Sequence, residues 1–149
     1  MSAGYAQRPS RAARGNALVE FVLVLPLLLL ILLGAIDWGF YFMVRETVIN
    51  ATREGARVGS VATSGEDPVA LATTAVENYL QNALGTTYKV TPTVTTDTGI
   101  YAGSTAIRVR LANYPVVPGR PTTSITGFGP WTLVPTTITA ETDMRLESP

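Results

Sequence analysis

Gly15 and Glu20 stand five residues apart at the mouth of the longest apolar run in the chain. A glycine has no side chain to obstruct a protease. A carboxylate inside an apolar helix is a functional group by default, because hydrocarbon penalises its charge. If the chain is cut after Gly15, Asn16 becomes a new α-amine and Glu20 lies at i,i+4 from it, one helical turn away. In an assembly of parallel helices, each Glu20 can meet a neighbour's N-terminal ammonium, so that two charges unfavourable in hydrocarbon neutralise one another. The simpler alternative is that Glu20 only snorkels to the interface. Arg53, Glu54 and Arg57 cluster within about one turn, as solvated charges on helices commonly do. Ser64 and Asp67 have the types of a nucleophile and an acid, but no His or Lys base lies nearby. The chain has no Cys and no His, which excludes a thiol nucleophile, a disulfide framework, a lipidated-cysteine anchor and zinc sites of ordinary composition. Neither an enzymatic activity nor a cofactor is expected.

The element that positions Glu20 is a membrane-length helix. Residues 21–36, FVLVLPLLLLILLGAI, hold thirteen Leu, Ile, Val or Phe side chains. At roughly −0.3 to −0.6 kcal/mol each, these favour insertion by about 4 to 8 kcal/mol. Sixteen residues of helix span only about 24 Å, less than a hydrocarbon core of about 30 Å. Extending the helix from Ala17 to Val44 closes the gap and takes in Glu20 and Asp37, at a cost the aliphatic residues offset. Pro26 removes the amide donor for the Val22 carbonyl, so a kink or local loosening is expected there. Trp38, Phe40, Tyr41 and Phe42 read as an aromatic belt. Arg8, Arg11 and Arg14, with no acid in residues 1–16, place the N-terminus in the cytoplasm and the remainder outside. A cleaved secretory signal competes with this reading, but the apolar run is long and ends without an Ala-x-Ala-like site.

The leader-Gly-x4-Glu-Phe-apolar pattern looks like a type IV prepilin processing site. More narrowly, residues 15–62 resemble the TadE-like family of pseudopilins or minor pilins of tight-adherence (Flp-type) pili. The matching features are Val19-Glu20-Phe21, Leu25-Pro26-Leu27-Leu28, the aromatic exit, and Asn50-Ala51-Thr52-Arg53-Glu54-Gly55-Ala56-Arg57. The resemblance implies a pilin-like plan, cleavage between Gly15 and Asn16 by a prepilin peptidase, and Glu20 as an assembly carboxylate. It also implies other pilin or pseudopilin subunits and the pilus assembly machinery as partners, and a part in priming or assembling a pilus for surface adhesion. The expected location is a bacterial inner membrane, crossed once. The alternative is a stably anchored single-pass protein whose outer domain binds a ligand.

The expected organisation is therefore a cleaved basic leader over 1–15, taken as disordered, a transmembrane helix over 16–44, and an extracytoplasmic α+β domain over 45–149. Loss of the leader lowers the basic residues from eleven to eight against eleven acidic, which argues against a nucleic-acid partner. Helical spacing continues to about Ala62 through Val44, Val48, Ala51, Gly55 and Val58. Asp67-Pro68 starts a second helix and Gly85 ends it, with Val69, Ala72, Val76, Tyr79, Leu80 and Ala83 as its apolar stripe. Three antiparallel strands follow, at about 87–95, 104–113 and 136–147. Asp97-Thr98-Gly99 and Gly103 bracket the first hairpin loop, and Pro92 marks an edge or bulge. The Pro- and Gly-rich stretch 114–135 reads as a long crossing loop that covers the sheet.

Overall fold

A computed structural model describes residues 11–85, 90–101, 104–117 and 135–147. The architecture is α+β, as expected: two helices and a three-stranded antiparallel sheet in the order β1-β2-β3. The chain divides into two units, Met1–Ile36 and Asp37–Pro149.

Helix α1 runs Arg11–Ser60 and continues through Pro26. Its start corrects the expectation that the whole leader is disordered: residues 11–15 are helical, and 1–10 lie outside the described residues. The local reason is composition, since Arg11-Ala12-Ala13-Arg14 is built of strong helix formers. In the first unit the aliphatic side chains stand open. Leu23 is 75 % exposed and Ile31 61 %, and the most apolar window of the helix is not buried at all.

In the second unit α1 presents two adjacent ridges of small residues. Val44, Val48, Thr52, Ala56 and Ser60 are buried, each four residues from the next. This ridge meets β3: the Thr52 and Thr142 hydroxyls are 3.0 Å apart, and Ser60 Oγ lies 3.3 Å from Met144 Sδ. Ala51, Gly55 and Gly59 form the other ridge, against α2. The expected single stripe was too narrow, because Val58 and Ala62 are only half-buried while Thr52, Ala56, Gly59 and Ser60 are buried. Two partners, a sheet and a helix, widen the covered face beyond one stripe.

Helix α2 runs Pro68–Leu84, as its caps dictate. The Asp67 carboxylate accepts the Val69 amide at 2.9 Å, and Gly85 takes φ 85° with its amide donating to the Gln81 carbonyl. Only Ala72, Val76 and Leu80 of the expected stripe are buried. Val69 is half-buried, and Tyr79 and Ala83 are exposed, because a single ridge of α2 makes the contact.

The strands are β1 (Thr93–Tyr101), β2 (Ser104–Pro115) and β3 (Thr137–Arg145). Strand β1 starts after Pro92 rather than across it, consistent with a proline that cannot donate to a ladder. It also runs through Asp97-Thr98-Gly99, expected to border the hairpin loop. The register slips between Asp97 and Tyr101, so these residues form an irregularity within the strand. A bulge also decides the lower half of β2. Leu111 pairs with Ala140 but Tyr114 with Ile138, so β2 carries one extra residue, and Asn113 takes φ 53° there. Asparagine tolerates that left-handed conformation better than most residues. The extra residue shifts the alternation, and Tyr114 and Val116 turn inward to be fully buried. Residues 118–134, most of the expected crossing loop, lie outside the described residues.

The core of the second unit gathers Val44, Val48, Val76, Leu80, Ile107, Val109, Leu111, Tyr114, Val116 and Ile138. On the other sheet face Arg108 joins three acids: Asp143 at 2.8 Å, Glu141 at 3.1 Å and Asp97 at 3.8 Å. Hydrogen bonding to Asp143 raises the Arg108 pKa above the usual arginine value.

Candidate functional site

Gly15 and Asn16 both lie inside α1, and Glu20 follows Asn16 by four residues on the same uninterrupted helix. At about 1.5 Å per residue, the Asn16 and Glu20 backbones are about 6 Å apart along the axis. Glu20 is exposed, and among the described residues it has no hydrogen-bond or ion-pair partner. The helical setting gives Gly15 a second physical meaning. Glycine costs a helix about 1 kcal/mol relative to alanine, so the helix is intrinsically weak at this position. Pro26 is six residues beyond Glu20, within the exposed apolar stretch.

The block from Asn50 to Arg57 divides between two jobs. Asn50, Arg53 and Arg57 are exposed, and Glu54 is half-buried. Arg57 clasps Glu54 with two bonds, Nε to Oε2 at 2.9 Å and Nη2 to Oε1 at 2.6 Å. The Arg57 hydrogen bond holds the Glu54 carboxyl below its ordinary pKa, against the opposing effect of desolvation. Among the described residues Arg53 has no ion pair. Ala51, Gly55 and Ala56 face inward. A Cβ added at Gly55 would collide with Val76 Cγ2 and stand 3.1 Å from the Ala72 carbonyl oxygen. One added at Gly59 would run into Ile107 Cδ1, 2.9 Å from the Pro68 carbonyl oxygen and 3.0 Å from Ala72 Cβ. These glycines permit the close approach of α2 to α1. Gly59 was missed by sequence reasoning, although its spacing of four from Gly55 and eight from Ala51 was a visible signal.

Ser64 and Asp67 do not form a reactive pair: Asp67 caps α2. The turn before it is held by Glu66, which accepts the Thr63 hydroxyl at 2.6 Å and the Thr63 amide at 2.9 Å. The Thr63 hydroxyl, then its amide, holds the Glu66 carboxyl below its ordinary pKa. An open groove of about 510 Å3 beside this turn is lined by Thr63, Ser64, Glu66, Arg145 and Glu147 among others. No cluster of three or more potential metal ligands occurs among the described residues.

The family model of the TadE-like protein matches residues 15–57. That segment of the chain is TadE-like. The match begins at Gly15 and ends at Arg57, so it takes in Glu20, the apolar stretch and the Asn50–Arg57 block within α1. A TadE-like segment with one N-terminal helix long and apolar enough to cross a bilayer fits a pilin-like, single-pass membrane protein. The TadE-like family is pilus-associated and structural. No curated protein and no solved structure matched the chain.

Proposed function

We propose that this chain is a non-enzymatic pilin-like subunit, inserted in a bacterial inner membrane with its N-terminus cytoplasmic and its α+β domain outside. A prepilin peptidase removes residues 1–15. The mature chain then joins other pilin or pseudopilin subunits and the assembly machinery to prime or build a tight-adherence pilus for surface adhesion. The observation that carries this reading is the register within the TadE-like segment: Gly15, Asn16 and Glu20 lie on one continuous helix that leads directly into an exposed apolar stretch. A plain anchor has no use for an acid one turn from a new amine.

Mass spectrometry of the protein from cells containing the peptidase tests the first step. A chain beginning at Asn16 is expected, and Gly15→Val should leave the chain uncut. Glu20→Ala tests the second step. The change makes the helix more apolar, so insertion should be equal or better. It also leaves a neighbour's Asn16 ammonium unpaired, and breaking a buried pair from one side costs about 3 to 5 kcal/mol. That is enough to lower assembly by about two to three and a half orders of magnitude. Equal amounts of wild-type and Glu20→Ala protein in sheared filaments would rule out the pairing role.

A further inference from the structure

The bond proposed above for processing lies inside a helix. Helix α1 begins at Arg11, four residues before Gly15, and runs on through Asn16, Glu20 and the apolar stretch. Proteases cut most readily where a chain is exposed and irregular. In a helix the carbonyl to be attacked points along the axis, into a hydrogen bond with the amide four residues ahead, and the flanking side chains wind around a cylinder. The turn that holds the Gly15 carbonyl must therefore open before the Gly15–Asn16 bond can enter a protease cleft. The local sequence sets the cost of that opening.

The opening is confined to a short segment. On the leader side, unwinding from Arg11 as far as Asn16 gives up few backbone hydrogen bonds, because the first amides of a helix have no acceptor within it. On the far side, the chain from Phe21 onward is aliphatic and its side chains stand exposed. Within hydrocarbon, an unwound backbone there would leave N–H and C=O groups without partners. Residues 11–20 are thus the segment free to open, and the Gly15–Asn16 bond lies at its middle. Gly15 is the weakest helix former in that segment, while Ala12, Ala13 and Ala17 are the strongest.

We propose that a prepilin peptidase takes the opened form of residues 11–20, so that helix propensity on both sides of the cut determines how fast this chain is processed. The determinants are then Ala13 and Ala17 as well as Gly15. Where opening and closing are fast relative to cleavage, the rate follows the population of the open form. Gly15 acts in this scheme by weakening the helix, in addition to offering no side chain to the cleft. After the cut the remaining residues wind up again, and Asn16 and Glu20 keep their spacing of one turn. The proposal rests on the reading of Gly15–Asn16 as the processing site and of residues 21–36 as lying in hydrocarbon.

Full-length precursor in detergent micelles is incubated with purified prepilin peptidase, at substrate concentrations low enough for the rate to report kcat/KM. Mass spectrometry follows the loss of residues 1–15. Ala13→Gly and Ala17→Gly should each raise the rate about five-fold, which is the helix cost of glycine relative to alanine written as an equilibrium constant. Gly15→Ala should lower it about five-fold, and Ala13→Gly in the same chain should restore the wild-type rate. Without peptidase, amide hydrogen exchange at residues 15–18 should speed up and slow down in the same order. Rates that change with position 15 alone would overturn the helix requirement and leave the cut itself standing. So would exchange that does not respond to these changes. Ala17→Gly slowing the cut while Ala13→Gly hastens it would assign both effects to contacts with the peptidase and overturn the proposal. A wild-type precursor that stays uncut would overturn the processing site along with it.

Discussion

Replacing Gly55 with alanine places one methyl group where Val76 Cγ2 already sits, 3.1 Å from the Ala72 carbonyl oxygen. Val76 is fully buried and β-branched, so its side chain has little freedom to swing aside. Overpacking of this kind costs about 1 to 3 kcal/mol. Removing a mid-helix glycine returns about 1 kcal/mol. The expected net effect is a loss of about 1 kcal/mol. For a unit of this size, with unfolding entropy near 2.1 cal/mol/K per residue, that is a fall in Tm of about 4 °C. Val76→Ala alone should cost about 2 to 3 kcal/mol, for two methyl groups and the cavity they leave. In the double variant the methyl group added at position 55 enters the vacated space, so the overpacking cost disappears and the helix gain remains. The two changes should therefore couple favourably by about 2 kcal/mol, well beyond the roughly 0.5 kcal/mol scatter of independent sites. Full-length protein in detergent micelles, melted while near-ultraviolet circular dichroism follows the buried Tyr114, gives all four corners of the cycle. A Gly55→Ala variant more stable than wild type, or a cycle additive within that scatter, would refute the packing account of this glycine.

Thr52→Val removes the hydroxyl that meets Thr142 and the Ile49 carbonyl; the expected loss is about 1 kcal/mol, read in the same melt. Glu66→Gln tests pH dependence. The Glu66 pKa is lowered in the folded chain by the Thr63 bonds, so its stabilisation is present above the unfolded value, about 4.3, and is lost as pH falls through the lower folded value. The gap in Tm between wild type and Glu66→Gln should accordingly be constant above about pH 5.5 and close on further acidification. Arg108→Met should lower Tm slightly at low salt and less at high salt, because the side chain and its acids are partly exposed. A salt-independent loss would show that packing of the arginine stem matters more than its charge.

Sequence alone determined the features whose causes are local. Thirteen aliphatic or aromatic side chains in residues 21–36 make a strongly apolar helical run, which the helix-forming residues on either side lengthen enough to cross a bilayer. Asp67-Pro68 and Gly85 set the two ends of α2, because a cap bonds only within its own turn. Val19-Glu20-Phe21 and Asn50–Arg57 carried the TadE-like resemblance that the family match on residues 15–57 reports. Tertiary structure decided what depends on partners distant in sequence. Asn113 reads as the end of a strand, yet pairing with β3 makes it a bulge that turns Tyr114 into the core. Asp97-Thr98-Gly99 reads as one border of a hairpin loop, yet β1 continues through it as an irregularity in the pairing with β2. Gly55 reads as one small residue of an apolar stripe, but that α2 is the neighbour, and that it comes so close that neither Gly55 nor Gly59 has room for a methyl group, only the packing shows. Periodicity reports which side of one element is apolar. Which neighbour covers that side, and in what register, follows only when all the elements pack at once.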